Sequence, residues 1–473
     1  MEKNIDTEVL VIGFGGAGAV AAITAHDAGA SVVIIEKMDH GGGNTNLSLG
    51  GFLCLKDFDR GLLYLESLCN RVFSTLEPEM IYAYARGCLN NQKWVEDFGH
   101  STHAYGGAAF PELPGADSVE KRMVTGKNST QENSFWGFIR TEVEKRRITV
   151  LNNAPAKSLI TDEDGAVKGA VVNINGGKIS VKASRAAILA CGGFEYNDWM
   201  KKNYLKGYPY YSLGSPGNTG DGLAMAQRAG ADIWHVSNVS TPLGFKTAEY
   251  EAAFLIKPLS MQYIYTDKSG KRFASEVTDV HAYNYLVDLF DTQSLEFPRI
   301  PCCMIFDETL RKAGPIAISA VGFNRGRYQW SKDNKKEIDN GWIVSGETIG
   351  DLADEIGVGR QMLENTVKRY NQYCESGNDH DYNRPRETME PLCNGPYYSI
   401  MLWPSLLNTQ GGPRRNFNAQ VLYPDGSLIP RLYSAGELGS LFGLLYQGGG
   451  NIGECLAFGR IAGEKAAAEK KMF

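Results

Sequence analysis

Residues 8–12, Glu-Val-Leu-Val-Ile, run without a break into Gly13-Phe14-Gly15-Gly16-Ala17-Gly18 and then into an alanine-rich stretch over residues 19–28. The first piece has the length and composition of a buried parallel strand and the last those of a helix, which leaves the glycines in the turn between them. In a dinucleotide-binding βαβ unit, Gly13 permits the tight turn, Gly15 lets the backbone approach a diphosphate, and Gly18 lets the helix pack on the strand. The helix N-terminus adds oriented N–H donors. A second strand over residues 31–35 ends in Glu36-Lys37. Glu36 stands about 20 residues beyond the glycines, where a carboxylate accepts hydrogen bonds from ribose hydroxyls. Strand, glycines, helix, strand and acid in register predict a dinucleotide site in an α/β fold.

Composition narrows the remaining choices. The chain has 473 residues, 43% hydrophobic and 22% charged, about three times a ~150-residue domain, so two or three structural units are expected. No apolar run approaches the roughly 18 residues of a membrane span, and a membrane span is not expected. Lys and Arg number 48 against 54 Asp and Glu, a net charge of −6, with no basic block to follow a phosphate backbone, so nucleic acid is not an expected partner. The nine cysteines are scattered without a CxxC, which argues against a disulfide scaffold, a zinc ribbon or an iron–sulfur cluster; no metal site is expected. Cys302-Cys303 reads as two reduced thiols at a buried strand. The N-terminal residues lack an apolar signal core, and the expected compartment is the cytoplasm.

After Glu36 comes Asp39-His40-Gly41-Gly42-Gly43-Asn44-Thr45-Asn46-Leu47-Ser48-Leu49-Gly50-Gly51, where a plain Rossmann domain would go directly to its next helix. A small, polar, glycine-rich segment of this kind can lie flat along a ribityl chain and a flavin ring. It resembles the flavin-binding segment of the fumarate reductase/succinate dehydrogenase flavoprotein superfamily, which also includes 3-ketosteroid dehydrogenases and urocanate reductases. Further stretches match that superfamily in order: Ala187-Ile-Leu-Ala-Cys191-Gly192-Gly193-Phe194, Asn218-Thr219-Gly220-Asp221-Gly222, Leu432-Tyr-Ser-Ala-Gly436-Glu437, Gly449-Gly450-Asn451-Ile452, and Phe458-Gly-Arg-Ile-Ala-Gly463.

The resemblance implies a Rossmann-like FAD-binding domain, a parallel sheet with helices, carrying an inserted α+β cap. The expected boundaries are 1–240 and 391–473 for the FAD-binding domain and 241–390 for the cap, whose closure over the flavin would shield an interdomain cleft from water. In the cap region residues 267–273 read as a hairpin, 352–356 and 361–373 as amphipathic helices, and 377–382 as a linker-like patch. Non-covalent FAD is implied, held by Gly13, Gly15, Gly16, Ala17, Gly18, Glu36, Lys37, Asn44, Thr45, Asn46, Ser48, Gly50, Gly51, Ala156, Cys191, Gly192, Gly193, Asn218, Thr219, Asp221, Gly436, Glu437, Gly450, Asn451 and Ile452. Glu437 is expected on the ribityl hydroxyls and the backbone of Asn451 and Ile452 near the isoalloxazine.

The superfamily divides by the groups that face the substrate. Where fumarate reductases place a histidine and two arginines, this chain has Asn408, Val280 and Gln447, so fumarate is not the expected substrate. Tyr446, just upstream of the last glycine loop, looks instead like the tyrosine that ketosteroid dehydrogenases present to a substrate carbonyl, and the ketosteroid dehydrogenase branch is the nearest likeness. A phenol and a backbone N–H aimed at a ketone oxygen stabilise an enolate in either direction of reaction. Tyr105 and Tyr283 are candidates for the base, with His281 as a rival. Arg414-Arg415 offers an alternative, a guanidinium pair that clamps the carboxylate of a larger unsaturated acid. The expectation is a dehydrogenase or reductase of a carbon–carbon bond beside a ketone. Its rivals are an urocanate- or cinnamate-type enoate reductase and, in another class, an electron-transfer flavoprotein subunit. Each requires an external electron donor or acceptor: quinone, NAD(P)H or a carrier. Trp136, Phe138, Phe194, Trp234 and Phe442 read as core aromatics, some of them walling an apolar pocket.

Overall fold

The computed structural model describes residues 4–71, 76–126 and 132–472, so residues 1–3 of the N-terminal segment lie outside it. The chain divides into two units. The first takes in the described residues up to Met200, Gly214–Val239, and the residues from Asn408 onward; the second is Lys201–Leu213 and Ser240–Leu407.

The first unit is built on an eight-stranded sheet. Leu428–Ser434, Gly177–Leu189, Asn4–Ile12, Val32–Ile35 and Thr149–Leu151 lie side by side and parallel, with Gln420–Leu422 antiparallel at one edge. Val9, Leu10 and Val11 are wholly buried, which is why this stretch is a continuous apolar run rather than an alternating one. Ala156–Thr161 and Val167–Ile174 form an antiparallel meander that joins Gly177–Leu189. The Rossmann-like α/β class expected from the glycine pattern is the class observed.

Two helices of small residues pack on each other beside this sheet. The first, Gly16–Asp27, begins one turn before the alanine run because Gly15 serves as its extended N-cap. The last, Gly450–Ala468, is buried along most of its length. A Cβ at Gly459 would come within 3.0 Å of Val20, and one at Gly463 would drive into the Ala21 carbonyl, so the two backbones approach as closely as glycine allows. Trp136, Phe138, Phe194 and Phe442 are buried in this unit, whereas Trp234 is half-buried and stacks on His235 at 4.5 Å.

The second unit is α+β. Its central strand, Tyr397–Leu406, pairs antiparallel with Cys302–Asp307, Leu243–Phe245 and Val344–Gly346, and parallel with Tyr211–Ser212. These pairings explain why the unit runs past residue 390 and includes 201–213. Cys302 and Cys303 are buried thiols in the Cys302–Asp307 strand. Ile349–Ile356 and Arg360–Ser376 are the two amphipathic helices, and they bury Leu352, Leu363 and Val367 against Ile264 and Ile305.

Two local readings change. Residues 267–273 make a tight turn with a single bridge, Thr266 to Arg272, instead of a full hairpin, because Arg272 is drawn into a buried cluster with Glu276 and Asp379. Asp379 is 1% exposed, so residues 377–382 are anchored rather than linker-like. Among the described residues no helix is long and apolar enough to cross a membrane.

The close helix pair gives a stability prediction. Gly463→Ala should lower the unfolding free energy by about 1–3 kcal/mol, the usual cost of overpacking, measured by urea unfolding. An unchanged urea midpoint would show that the two helices have room to part.

Candidate active site

The glycine turn is shaped by two contacts that leave no space for a side chain. Gly13 has φ +106° and its missing Cβ would strike the Ala190 carbonyl; that of Gly18 would strike the Gly13 carbonyl. The turn feeds the Gly16–Asp27 helix, whose N-cap, Gly15, carries no side-chain cap. The Gly16 N–H donates to Thr45 Oγ1 (3.1 Å) and the Gly42 N–H to the Phe14 carbonyl (2.7 Å), which holds the 41–51 segment over the helix start. Glu36 ends its strand beside the turn and accepts from the N–H groups of Phe14 and Met38, each at 2.9 Å. A carboxylate can accept about four hydrogen bonds, so both oxygens keep room for ribose hydroxyls.

Lys37 turns away from that position. It ion-pairs with Asp221 at 2.8 Å and donates to the Thr219 hydroxyl, tying the second strand to the start of the Asp221–Arg228 helix. Cys191 donates its thiol to the Ile12 carbonyl at 3.3 Å, and burial pushes that thiol up to about 12. Ala156 lies opposite Val172 in the meander.

The polar segment is held chiefly by a residue that sequence reasoning did not single out. Asn133 Nδ2 donates to the carbonyls of Thr45 (2.6 Å), Asn46 (3.0 Å) and Ser48 (3.1 Å), and its N–H donates to Asn46 Oδ1 (3.2 Å). Its Oδ1 caps the Ser134–Lys145 helix by accepting from the Trp136 N–H. An Asn directly before an amphipathic stretch is a recognisable N-cap, so the helix start was legible, though not the three carbonyls. Ser48 closes the segment by accepting from the Gly50 N–H at 2.9 Å.

Two carboxyls converge beneath this segment. Asn44 Nδ2 lies 2.8 Å from Glu195 Oε1 and 3.1 Å from Glu437 Oε1, and Asn218 Nδ2 lies 3.3 Å from each. Gly192, at φ +70°, is required here, since its Cβ would press on Asn218 Oδ1 at 2.7 Å; one on Gly193 would collide with the Thr409 hydroxyl. Gly436 meets Ala17 in the same way, at 2.8 Å. Glu195 is wholly buried and burial pushes its carboxyl up to about 7. Burial, and then the Glu195 charge, pushes Glu437 up as well. Two carboxylates bridged only by neutral amides favour holding one proton between them. Glu195 directly follows Gly192-Gly193-Phe194, yet nothing in the spacing marks it as Glu437's neighbour.

At the other end, the Gly450–Ala468 helix starts from Gly449 at φ +83°. The Asn451 N–H donates to the Tyr446 hydroxyl at 3.1 Å, and Tyr446 lies edge-on to Phe442, ring centroids 5.1 Å apart. Burial above all pushes the Tyr446 phenol up, so it stays protonated at neutral pH. Tyr105, from the Thr102–Gly106 strand, lies with its hydroxyl against Gly51, close enough to act electrostatically on Tyr446. Tyr105 is 41% exposed, and the desolvation of its hydroxyl end pushes the phenol up. The structure thus brings Gly51, Tyr105, Tyr446, Gly450 and Asn451 together, with Ile452 buried in the first turn of the helix.

The guanidinium pair is not a carboxylate clamp. Arg415 is 1% exposed and ion-paired with Glu454 at 2.8 Å; Arg414 pairs with Asp232 at 3.2 Å. Each is already matched to an acid of the protein itself. Gln447 is buried, its Oε1 accepting from the Tyr64 hydroxyl (2.5 Å) and the Ala109 N–H (2.8 Å), and Asn408 donates to Asn451 Oδ1 at 3.0 Å. Tyr283 belongs to the hydrophobic core of the second unit, and its hydroxyl donates to the Glu276 carbonyl at 3.1 Å, the setting of a core side chain. His281 Nδ1 lies 2.6 Å from Ser240 Oγ.

A glycine turn at a helix N-terminus, an acid at the end of the next strand, and a second polar segment leading to Glu437 form a cradle that suits an FAD. Known proteins agree with that fit. The model of the FAD binding domain family matches residues 8–452. Urocanate reductase of Eggerthella lenta is 29% identical over 98% of this chain and 75% of its own length. The 3-oxosteroid 1-dehydrogenase of Mycobacterium tuberculosis is 27% identical over 96% of this chain and 97% of its own. A crystal structure of 3-ketosteroid delta1-dehydrogenase from Sterolibacterium denitrificans shares the fold, with TM-score 0.87 at 21% identity over 98% of this chain and 100% of that one.

The carboxyl pair predicts a pH dependence. Both folded-state pKa values are raised, so the associated stability is present below the ordinary glutamate range and is lost as pH rises toward 7. The melting temperature of the FAD-free protein should therefore fall between pH 5 and about 7.5, and Glu195→Gln should flatten that fall. An equally steep fall in the variant would place its origin elsewhere.

Proposed function

This chain belongs to the FAD binding domain family and is an FAD-dependent oxidoreductase, and we propose that it reduces the carbon–carbon double bond of an α,β-unsaturated ketone. The observation that carries this reading is the pairing of Tyr446 with the Asn451 N–H at the start of the last helix, beside arginines already engaged by Asp232 and Glu454. A neutral phenol suits a carbonyl oxygen. A carboxylate would need a cation, and neither Arg414 nor Arg415 is placed to supply one.

FAD, when bound, supplies the hydride. Tyr446 holds the ketone oxygen and donates to it as negative charge develops there, which stabilises the enolate. Tyr105 then gives the α-carbon its proton. Its phenol is protonated at neutral pH, the form that the reductive direction uses. The β-carbon gains hydride, the α-carbon gains the proton, and the electrons come from an external donor. The second unit, around the Tyr397–Leu406 strand, is the proposed substrate cap. FAD is proposed to be non-covalent, because no histidine stands near Asn44, Thr45 and Asn46 to carry it beyond His40. The proposed compartment is the cytoplasm, a reading supported by nine cysteines scattered without a CxxC.

The test is anaerobic. The reduced protein should regain its yellow absorbance on addition of steroidal enones but not of urocanate or cinnamates. Tyr446→Phe should slow that recovery roughly 100-fold or more, the usual cost of losing one oxyanion donor, and Tyr105→Phe should slow it too. Recovery with the acids alone would overturn the ketone reading. Acid precipitation should release all the flavin into the supernatant.

A further inference from the structure

Arg415 lies beneath the flavin-binding strand and turn, where its contacts reach two pieces of the site at once. Nη1 donates to the carbonyls of Gly436 (3.2 Å) and Leu438 (3.1 Å), the residues on either side of Glu437. Nη2 donates to Glu454 Oε1 at 2.8 Å, and the guanidinium lies over the Phe458 ring at 4.7 Å. Glu454 carries the connection further. Oε1 accepts from the Leu441 N–H (2.9 Å), and Oε2 accepts from the Ser440 hydroxyl (2.6 Å) and from Asn451 Nδ2 (3.0 Å). Asn451 Nδ2 also donates to Gln410 Oε1 at 2.9 Å, and the Asn451 N–H meets Tyr446. Arg415 and Glu454 are at most 1% exposed.

We infer that Arg415 is a positioning residue that fixes the distance between the Glu437 end of the flavin site and its Tyr446–Asn451 end, acting through Glu454. A planar guanidinium can reach two carbonyls and a carboxylate from one fixed position, which a lysine ammonium cannot reproduce. Burial alone pushes Glu454 up and Arg415 down, each opposed by the other's charge, so removing one partner leaves the other as an uncompensated charge in the interior.

The inference rests on FAD binding and not on the enone reading, and its test uses no substrate. FAD affinity of the flavin-free protein would be measured by fluorescence titration, and the midpoint potential of the bound flavin by equilibration with redox dyes. Arg415→Lys keeps the charge and loses the shared grip on Gly436 and Leu438. It should bind FAD about tenfold more weakly, the loss of one charge-assisted hydrogen bond, at an unchanged potential. Glu454→Gln leaves the Arg415 charge uncompensated and should move the potential to more positive values, since a nearby positive charge favours the reduced flavin. A residue that only fills space would weaken binding in both variants without moving the potential. FAD affinity within twofold of the parent in Arg415→Lys, or an unmoved potential in Glu454→Gln, would overturn the inference. Arg415→Met is avoided because it risks unfolding the site, and Arg415→Lys decides the positioning claim even if Glu454→Gln does not fold.

Discussion

The site depends on how closely the first and last helices can approach. Their contact runs through Ala17, Val20, Ala21, Gly459 and Gly463, where a methyl group on Gly459 would press on Val20 and one on Gly463 would strike the Ala21 carbonyl. This closeness brings the start of the Gly16–Asp27 helix, the Thr45 segment and the second turn of the Gly450–Ala468 helix to one place. A Cβ on Gly16 would touch both Thr45 and Cys455. Residues more than 400 positions apart in the chain thus share one cradle, and small side chains at the crossing make that possible.

Buried charge in this cradle is handled in two different ways. Glu454 faces a cation, and Arg415 compensates it inside the same core. Glu195 and Glu437 face each other across two neutral amides, an arrangement in which a shared proton takes the place of the cation. The first arrangement is rigid because the guanidinium geometry is fixed. The second responds to pH because its charge depends on a proton. Both meet at residues 436–441, where Arg415 and Glu454 hydrogen-bond to the backbone on either side of Glu437.

Much of this was readable from the chain before any coordinates. The Gly13–Gly18 turn, Glu36, the Asn44–Gly51 segment and the Glu437 strand occur in a fixed order, and each has a physical role that only those residue types fill. What escaped was pairing across long separations. Arg415 next to Arg414 reads as a guanidinium pair open to a substrate carboxylate, and only the fold places Glu454 against it. Glu195 follows two glycines like any turn residue, and only the fold sets it beside Glu437. Asn133 was legible as a helix cap, yet its second function, holding three carbonyls of a segment 85 or more residues earlier, depends on tertiary contact. Tyr283 erred in the opposite sense: a tyrosine can look catalytic by position and still be a core residue whose hydroxyl meets a carbonyl.

The same logic underlies the proposed preference for an uncharged ligand. Where relatives in the superfamily are expected to place charge, Asn408 and Gln447 stand here, and both amides are engaged by the protein: Asn408 by Asn451, Gln447 by Tyr64 and Ala109. Neutral side chains satisfied by neutral partners offer a carboxylate nothing to offset its loss of water, a cost of several kcal/mol. A ketone loses far less on burial and needs only a donor at its oxygen. Tyr446, held by the Asn451 N–H and kept protonated by burial, is a donor of that kind. On the proposed reading, these closed amide contacts leave the site without a partner for an acid, so that one phenol is enough to favour a ketone.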